Sequence, residues 1–387
     1  MAMTIATGQR SMQIPLIKPD IPSLEAVESQ FREILDNGRI TNFGKYVAEF
    51  ERRIEDYLGV PVVTTSSGTM ALLFALQSLG LEPGGKVIVP SFTFMATVQA
   101  ILYAGAVPVF AEVGPDLTLE PAELEALLER HPETRAVIAV HMYGHPCDVD
   151  GLQAVVDAYE RKRGHAIRLL YDAAHAFGSR IGSRKVGTFG CAEVFSLSVT
   201  KVLVSVEGGL VASRDPELLQ RVRQMRNYGI QSSYNATRPG MNGKMSEFHA
   251  IVGLQSLARI DALMERRQRI AAEYFAQVER RTSFRRLPQR PGVVHTFKDF
   301  SVLVPDKLVA RRPQLIEFLK DRGIETRAYF FPPVHEQDYF RKWADRPLPR
   351  TESLARRVLT LPFFTSLTSE QVDYVVDGLA RAERAIA

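Results

Sequence analysis

The amino-acid sequence predicts an α/β protein: a mainly parallel central sheet with helices on both faces, followed by a smaller C-terminal α+β unit. Three observations carry this. Short apolar runs alternate with helical stretches through the first two thirds of the chain. Those runs are continuous rather than alternating in polarity, which marks strands covered on both faces. After about residue 245 the texture changes to a long stretch rich in Ala, Leu, Glu and Arg. The expected division is a large unit of residues 1–250 and a small one of residues 251–387.

The elements follow in order. Pro61–Thr65 is a β-rich run, and Thr69–Leu79 reads as a helix entered through Ser66, Ser67 and Gly68. Val87–Val89 is a strand ended by Pro90, Met95–Tyr103 a helix ended by Gly105, and Val107–Ala111 a strand. Pro121–Arg130 opens with Pro at a helix start and carries Leu124, Leu127 and Leu128 on one face. Ala136–Val140, Ile167–Tyr171 and Glu193–Leu197 are strands, and Gly151–Arg163 is a helix. Gly208 and Gly209 precede the strand Leu210–Ala212, a mark of a tight turn or close backbone approach. Ser246–Arg280 reads as one long helical stretch that holds the boundary between the units, since no Gly/Ser linker marks one. Beyond it, Phe300–Val304 and Ile324–Ala328 read as strands, and Arg312–Arg322 and Ser369–Ala385 as helices.

Composition narrows the class. Of 387 residues 45% are hydrophobic and 24% charged, which excludes disorder, collagen and coiled coil as the main state. Lys and Arg number 48 against 44 Asp and Glu, a net charge of +4. That surplus is too thin to argue for a nucleic-acid partner. The two cysteines, Cys147 and Cys191, cannot build a disulfide scaffold or a Cys-rich zinc site, and they suit a reducing cytoplasm. The N-terminal MAMTIATGQRSMQIPLIKPD lacks a basic region followed by an apolar core, so no secretory signal is expected. No residue from Val87 to Ala111 is charged, a length that could span a bilayer. Pro90, Ser91, Thr93, Thr97, Gln99, Gly105 and Pro108 interrupt it, so strand, buried helix, strand is the better reading.

Ligands of an open α/β sheet bind off the carboxyl ends of its strands. The residues just past each strand are therefore the informative ones. Ser67-Gly68-Thr69 opens a helix whose free N–H groups and dipole suit a phosphate, or is simply a Ser/Thr cap. Asp172 ends an apolar run, where a buried carboxylate needs a partner such as a protonated ring nitrogen, or it caps the next turn. Lys201 is the lone charge between Val194 and Val206. A desolvated lysine loses its proton and attacks carbonyl carbons, although a lysine whose head reaches water is the commoner case. Taken together these are the parts that hold pyridoxal phosphate: a phosphate cradle, an aromatic, a carboxylate and a lone lysine at successive strand ends.

Other chemistries lack their parts. His141 and His145 are four apart, but Gly144 and Pro146 break the helix a metal pair would need. His335-Glu336 lacks the second His of a zincin motif. Gly84-Gly85-Lys86 is followed by Val87, so there is no P-loop, and no G-x-S-x-G elbow occurs.

The motifs TSSGTMALLFAL, PSFTFMATVQAILYAGAVPVFAEV, HMYGHPCDVD, YDAAHAFGS, FSLSVTK, EGGLV, RNYG, GMNGKMSEFHAIVGLQSL and LPFF run from near residue 20 to near residue 375. In them the sequence resembles the pyridoxal-phosphate-dependent sugar aminotransferases of the DegT/DnrJ/StrS type, over essentially the whole chain. The resemblance implies the type I aminotransferase fold and pyridoxal 5′-phosphate as cofactor. It implies that Lys201 forms the Schiff base and later moves the proton, and that Asp172 pairs with the pyridine nitrogen. His175 would stand beside the cofactor's 3-oxygen, and Phe94 would stack on its ring. Gly68, Thr69 and Ser196 would hold the phosphate, and Asn242 would reach the phosphate of a neighbouring subunit. A homodimer with shared active sites follows. The implied substrates are L-glutamate and a keto sugar linked to a nucleoside diphosphate, used in a ping-pong cycle that makes an amino sugar. A free keto sugar or keto-cyclitol is the alternative acceptor. A cofactor-sensing regulator would need a DNA-binding domain that the sequence does not leave room for.

Two stretches depart from the family's usual pattern. Val202-Leu203-Val204-Ser205-Val206 stands where Asn, Gly and Ala are common, so no polar contact is expected from it. His295-Thr296-Phe297-Lys298-Asp299-Phe300 replaces a differently spaced His/Tyr segment, in a region expected to touch substrate. Arg226–Lys244, Tyr329 and His335 are further substrate-contact candidates by position.

Overall fold

A computed structural model describes residues 12–386. Residues 1–11, the start of the segment read as carrying no secretory signal, and residue 387 lie outside the described residues. The strands of the central sheet are β1 (Val62–Thr65), β2 (Lys86–Pro90), β3 (Val107–Ala111), β4 (Ala136–Val140), β5 (Arg168–Asp172), β6 (Ala192–Ser196) and β7 (Gly209–Ala212). Their spatial order is β1-β7-β6-β5-β4-β2-β3. From β6 through β5, β4 and β2 to β3 the pairing is parallel, while β7 runs antiparallel to both β6 and β1. The carboxyl ends of every strand but β7 therefore open on one edge.

Both faces of the sheet are apolar, and helices cover each. Ile88, Val109, Val137, Leu169 and Phe195 point to one side. There they meet α1 (Leu24–Asn37), α2 (Lys45–Leu58), α5 (Pro121–Arg130), α6 (Val149–Arg163) and α8 (Glu247–Leu257). Val87, Val89, Phe110, Ile138 and Val194 point to the other, against α3 (Gly68–Ser78), α4 (Met95–Tyr103) and α7 (Pro216–Met225). Each such side chain, once buried, is worth about 2 kcal/mol. This is why the strands read as unbroken apolar runs. The uncharged stretch Val87–Ala111 becomes β2, α4 and β3, as expected. Among the described residues no helix is long and apolar enough to cross a membrane.

The C-terminal unit has its own apolar cluster. A three-stranded antiparallel sheet, β8 (Arg285–Arg286), β9 (Phe300–Leu303) and β10 (Val358–Leu361), packs with α9 (Ile260–Arg281), α10 (Arg312–Lys320) and α12 (Ser369–Ile386). Tyr274 on α9 stacks on Phe300 with ring centroids 4.6 Å apart. The short α11 (Pro349–Arg357) leads into β10.

Three readings of the sequence need correction. Ser246–Arg280 is two helices, broken at Ala258 and Arg259, not one. No Gly or Pro marks the break; tertiary packing makes it. α8 is buried against α1 and α2, whereas α9 leaves that core and packs beside α12. Ile324–Ala328 is not a strand: Ile324 bridges Ile14 and Arg327 bridges Thr360, each as an isolated pair. The sequence reading also passed over the amphipathic helices α1 and α2, although Gly38 and Gly59 close them in the left-handed conformation that favours glycine.

α8 anchors α2 through one buried acid. Glu247, fully buried, accepts N–H bonds from Gly44 (2.9 Å), Tyr46 (2.7 Å) and Val47 (3.3 Å) at the start of α2. The carboxylate thus satisfies donors that the helix leaves unpaired and meets the positive end of its dipole. A Cβ on Gly44 would lie 2.8 Å from Glu247 Cδ, so any other residue there would push the carboxylate from its place. Glu247→Ala should lower unfolding free energy by about 3 kcal/mol, since several buried donors lose their acceptor, with Glu247→Gln losing less. Urea denaturation checks this; an unchanged midpoint for the alanine variant would contradict it.

Candidate active site

A cavity of about 370 Å³ opens at the carboxyl edge of the sheet. Gly68, Thr69, Phe94, Asp172, His175, Ser196 and Lys201 all line it. Sequence-distant residues come together because β1, β2, β5 and β6 all end on the same edge of the sheet.

Asp172 closes β5 and is 5% exposed. Its Oδ2 accepts from Thr97 Oγ1 at 2.7 Å and its Oδ1 from the Ala174 N–H at 3.0 Å. Thr97, in the first turn of α4, is in turn bonded to Thr93 in the loop that precedes that helix. Burial holds the carboxyl above the ordinary carboxylate range, against the opposing pull of these bonds and of Lys201. The acid is thus oriented and desolvated, and it gains if a cationic N–H arrives.

Lys201 sits in the loop between β6 and β7, with its N–H bonded to the Ser198 carbonyl at 2.9 Å. Burial and then the neighbouring charge of Lys298 pull its amine from 10.5 down to about 7, while Asp299, Asp172 and Glu207 oppose this. Near neutral pH a large fraction of Lys201 is therefore the free amine. His175 is held well below its usual range, first by burial and then by Lys201, so its ring is neutral. Its Nδ1 is buried without a partner among the described residues.

The cradle depends on two glycines. A Cβ on Gly68 would lie 2.7 Å from Ser196 Cβ, and one on Gly209 would lie 2.4 Å from the Ser67 carbonyl oxygen. Their absence lets the start of α3 meet the ends of β6 and β7. Ser67 also caps α3, its Oγ accepting from the Met70 N–H at 3.2 Å. Both readings of Ser67-Gly68-Thr69 thus describe the same turn. Asn242 does not line the cavity. It is exposed and bridged to Asn227, while the next residue, Gly243, accepts from the Ser66 N–H at 2.7 Å. That bond brings its segment beside the cradle.

Phe94 is 50% exposed and lines the cavity near Phe330, with ring centroids 5.8 Å apart. Lys298, from the His295–Phe300 segment expected to touch substrate, also lines the cavity, as do Phe330, Thr97 and Glu207, to which the sequence reading gave no role. Adjacent opposite charges in the otherwise uncharged Val293–Val304 run could have flagged Lys298 and Asp299. Tyr329 lines the cavity as expected, but two positional candidates do not. Arg226 is buried elsewhere, bonded to Glu51 and to the Thr64 carbonyl. His335 is bonded to Ser91 at 2.6 Å, away from the cavity lining. Both lie off the cavity because each satisfies a buried neighbour. Val202 to Ser205 are buried in the core, as the apolar departure in that loop suggested. Beneath the site His141 stacks on Tyr171 with centroids 4.9 Å apart and bonds the buried Glu193 at 3.0 Å.

Comparison with known proteins extends the geometry. The sequence profile of the DegT/DnrJ/EryC1/StrS aminotransferase family matches residues 24–380. The chain is 31% identical to a GDP-perosamine synthase of Vibrio cholerae, covering 91% of this chain and 95% of that protein. It is 32% identical to a dTDP-4-amino-4,6-dideoxy-D-glucose transaminase of Escherichia coli, covering 93% and 96%. The crystal structure of DesI in the presence of its TDP-sugar product superposes with a TM-score of 0.88 at 34% identity, covering 96% of this chain and 94% of that one.

The low amine pKa gives a direct test. An unprotonated amine reacts and an ammonium does not. Labelling of Lys201 in the cofactor-free protein by an acylating reagent, read by peptide mass spectrometry, should therefore rise with a midpoint near 7. Exposed lysines should still be gaining reactivity near their ordinary value of 10.5. A Lys201 midpoint in that alkaline range would contradict the desolvation argument.

Proposed function

The chain belongs to the DegT/DnrJ/EryC1/StrS aminotransferase family, and from that premise we propose that it moves an amino group from L-glutamate to a keto sugar linked to a nucleoside diphosphate. The observation that carries this reading is the meeting of a desolvated lysine and an oriented, desolvated aspartate in one cavity. The relatives' names add the acceptor class, since one carries GDP-linked and another dTDP-linked sugars in its name. A free keto sugar or keto-cyclitol is the second acceptor class to be tried.

The cofactor the family implies is pyridoxal 5′-phosphate, and the residues fit it. The orphaned Nδ1 of His175 suits the 3-oxygen. The glycine-dependent approach of α3 to Ser196 suits the phosphate, held by Gly68, Thr69 and Ser196. The raised carboxyl of Asp172 suits the ring nitrogen, the free amine of Lys201 the aldehyde carbon, and the half-exposed Phe94 in the cavity lining the ring. When bound, that group supplies an electron sink for the carbanion formed at the amino-bearing carbon.

The chain's own residues do the rest. Lys201, as a free amine, takes a proton from the substrate carbon and returns it, because its working pKa lies near neutral pH. Asp172 stays fixed by Thr97 and Ala174 and stabilises positive charge at the ring nitrogen. His175, kept neutral by burial, stays a hydrogen-bond partner rather than a competing acid. Asn242 is exposed beside the cradle, which supports a role across a homodimer interface. Two free cysteines and a nucleotide-linked substrate support a cytoplasmic setting. The division into a large and a small unit at residues 250 and 251 is part of the same reading. The apolar clusters support a hand-over slightly later, on α9 between Met264 and Ile270.

Mass spectrometry of the sugar product after incubation with L-glutamate and a panel of GDP-, dTDP- and UDP-linked keto sugars tests the reading. One acceptor should gain an amino group, and 2-oxoglutarate should form in equal amount. Failure of every nucleotide-linked acceptor alongside amination of a free sugar would overturn the acceptor class. Lys201→Ala should abolish sustained turnover without added amine; continued turnover by the purified variant would sink the Lys201 role. Asp172→Asn should keep a bound, coloured cofactor but slow the reaction by orders of magnitude, and near-normal kinetics would count against it.

A further inference from the structure

Two lysines line the cavity, and the reaction as described uses only Lys201. The second is Lys298. It lines the main cavity and also the narrow cleft beside it, which Lys201 shares. It is 7% exposed, and its Nζ donates to Asp299 Oδ1 at 2.8 Å. Lysine heads usually reach water along a flexible stem. Here the backbone beneath the stem is clamped. The Lys298 N–H bonds the Tyr143 carbonyl at 2.9 Å. Buried Arg267 donates from Nε to the Thr296 carbonyl at 2.7 Å and from Nη2 to the carbonyls of Phe297 and Lys298. Arg267 is itself seated over the Phe363 ring, 4.7 Å from its centroid. A buried arginine thus fixes the position of a buried lysine.

An ammonium with a single carboxylate partner keeps N–H donors for a further anion. Both proposed substrates are anionic, so chemistry must choose between them. Lys298 and Lys201 line the same cavity and the same narrow cleft. A group bound by Lys298 therefore lies near the carbon whose bond to nitrogen is made or broken. In an amino acid donor, a carboxylate is attached directly to that carbon. In a sugar nucleotide, the diphosphate hangs from the anomeric carbon, several bonds from the ring carbonyl. We propose that Lys298, held by Asp299 and Arg267, binds the α-carboxylate of the amino donor and so selects amino acids over simple amines. This rests on the aminotransferase reading and adds the donor-recognition residue to it.

The test compares two donors in the holoenzyme. L-Glutamate carries the α-carboxylate; 4-aminobutyrate is the same chain without it. The donor half-reaction is followed by absorbance in the wild type, Lys298→Met and Lys298→Arg. Loss of a charge-assisted bond should cut the preference for glutamate over 4-aminobutyrate by about tenfold or more in Lys298→Met, with partial rescue in Lys298→Arg. Calorimetric affinity for 2-methylglutamate, which has no α-proton to lose, should weaken by about the same factor. The KM for the sugar acceptor should change much less. A preference and affinity unchanged in Lys298→Met, or an effect confined to the acceptor KM, would overturn the assignment while leaving the enzyme an aminotransferase. A wild-type holoenzyme unreactive towards glutamate and every other amino acid would instead overturn the reading on which the proposal rests.

Discussion

A lysine and an aspartate that share a small cavity would ordinarily pair and neutralise one another. Here the hydrogen bonds of Asp172 go to Thr97 and Ala174, and no ion pair joins it to Lys201 among the described residues. Burial keeps the Lys201 amine near neutrality. Desolvation without pairing is costly. It persists because the sheet around it is rigid and apolar on both faces. The stored cost becomes useful when a ligand brings a positive ring nitrogen to one group and an electrophilic carbon to the other.

The topology serves this arrangement. Parallel strands align their carboxyl ends, so the residues that follow them converge without sharing sequence. β7 reverses direction and carries Gly209 against Ser67, which brings the start of α3 against β6. The C-terminal unit supplies what the sheet cannot. From it come Tyr329, Phe330 and Lys298, the last set in place by Arg267 on α9. One helix therefore spans both apolar clusters and fixes a cavity residue on the far side.

Much of this was legible in the sequence, for physical reasons. Strands covered on both faces must be apolar throughout, so β2, β3 and β4 announced themselves. Residues at strand ends could be read as a set, and of the site residues named from the sequence all but Asn242 line the cavity. What failed to show was set by tertiary contact. The break at Ala258 and Arg259 has no helix breaker, because packing on two different cores makes it. Ile324–Ala328 has the look of a strand but meets only Ile14 and Thr360 singly. Phe330 arrives from a loop whose position depends on the C-terminal unit. Arg226 and His335 were misjudged because a charged or titratable side chain can equally serve a buried neighbour.

The central claim is that Lys201 and Asp172 act together on a bound pyridoxal 5′-phosphate to carry an amino group. The visible absorption spectrum of the purified protein, before and after L-glutamate, tests it most directly. The account requires a yellow band that fades on addition of glutamate, with 2-oxoglutarate released. A protein that shows no such band even after pyridoxal 5′-phosphate is supplied, or a band that every amino donor leaves unchanged, would contradict it.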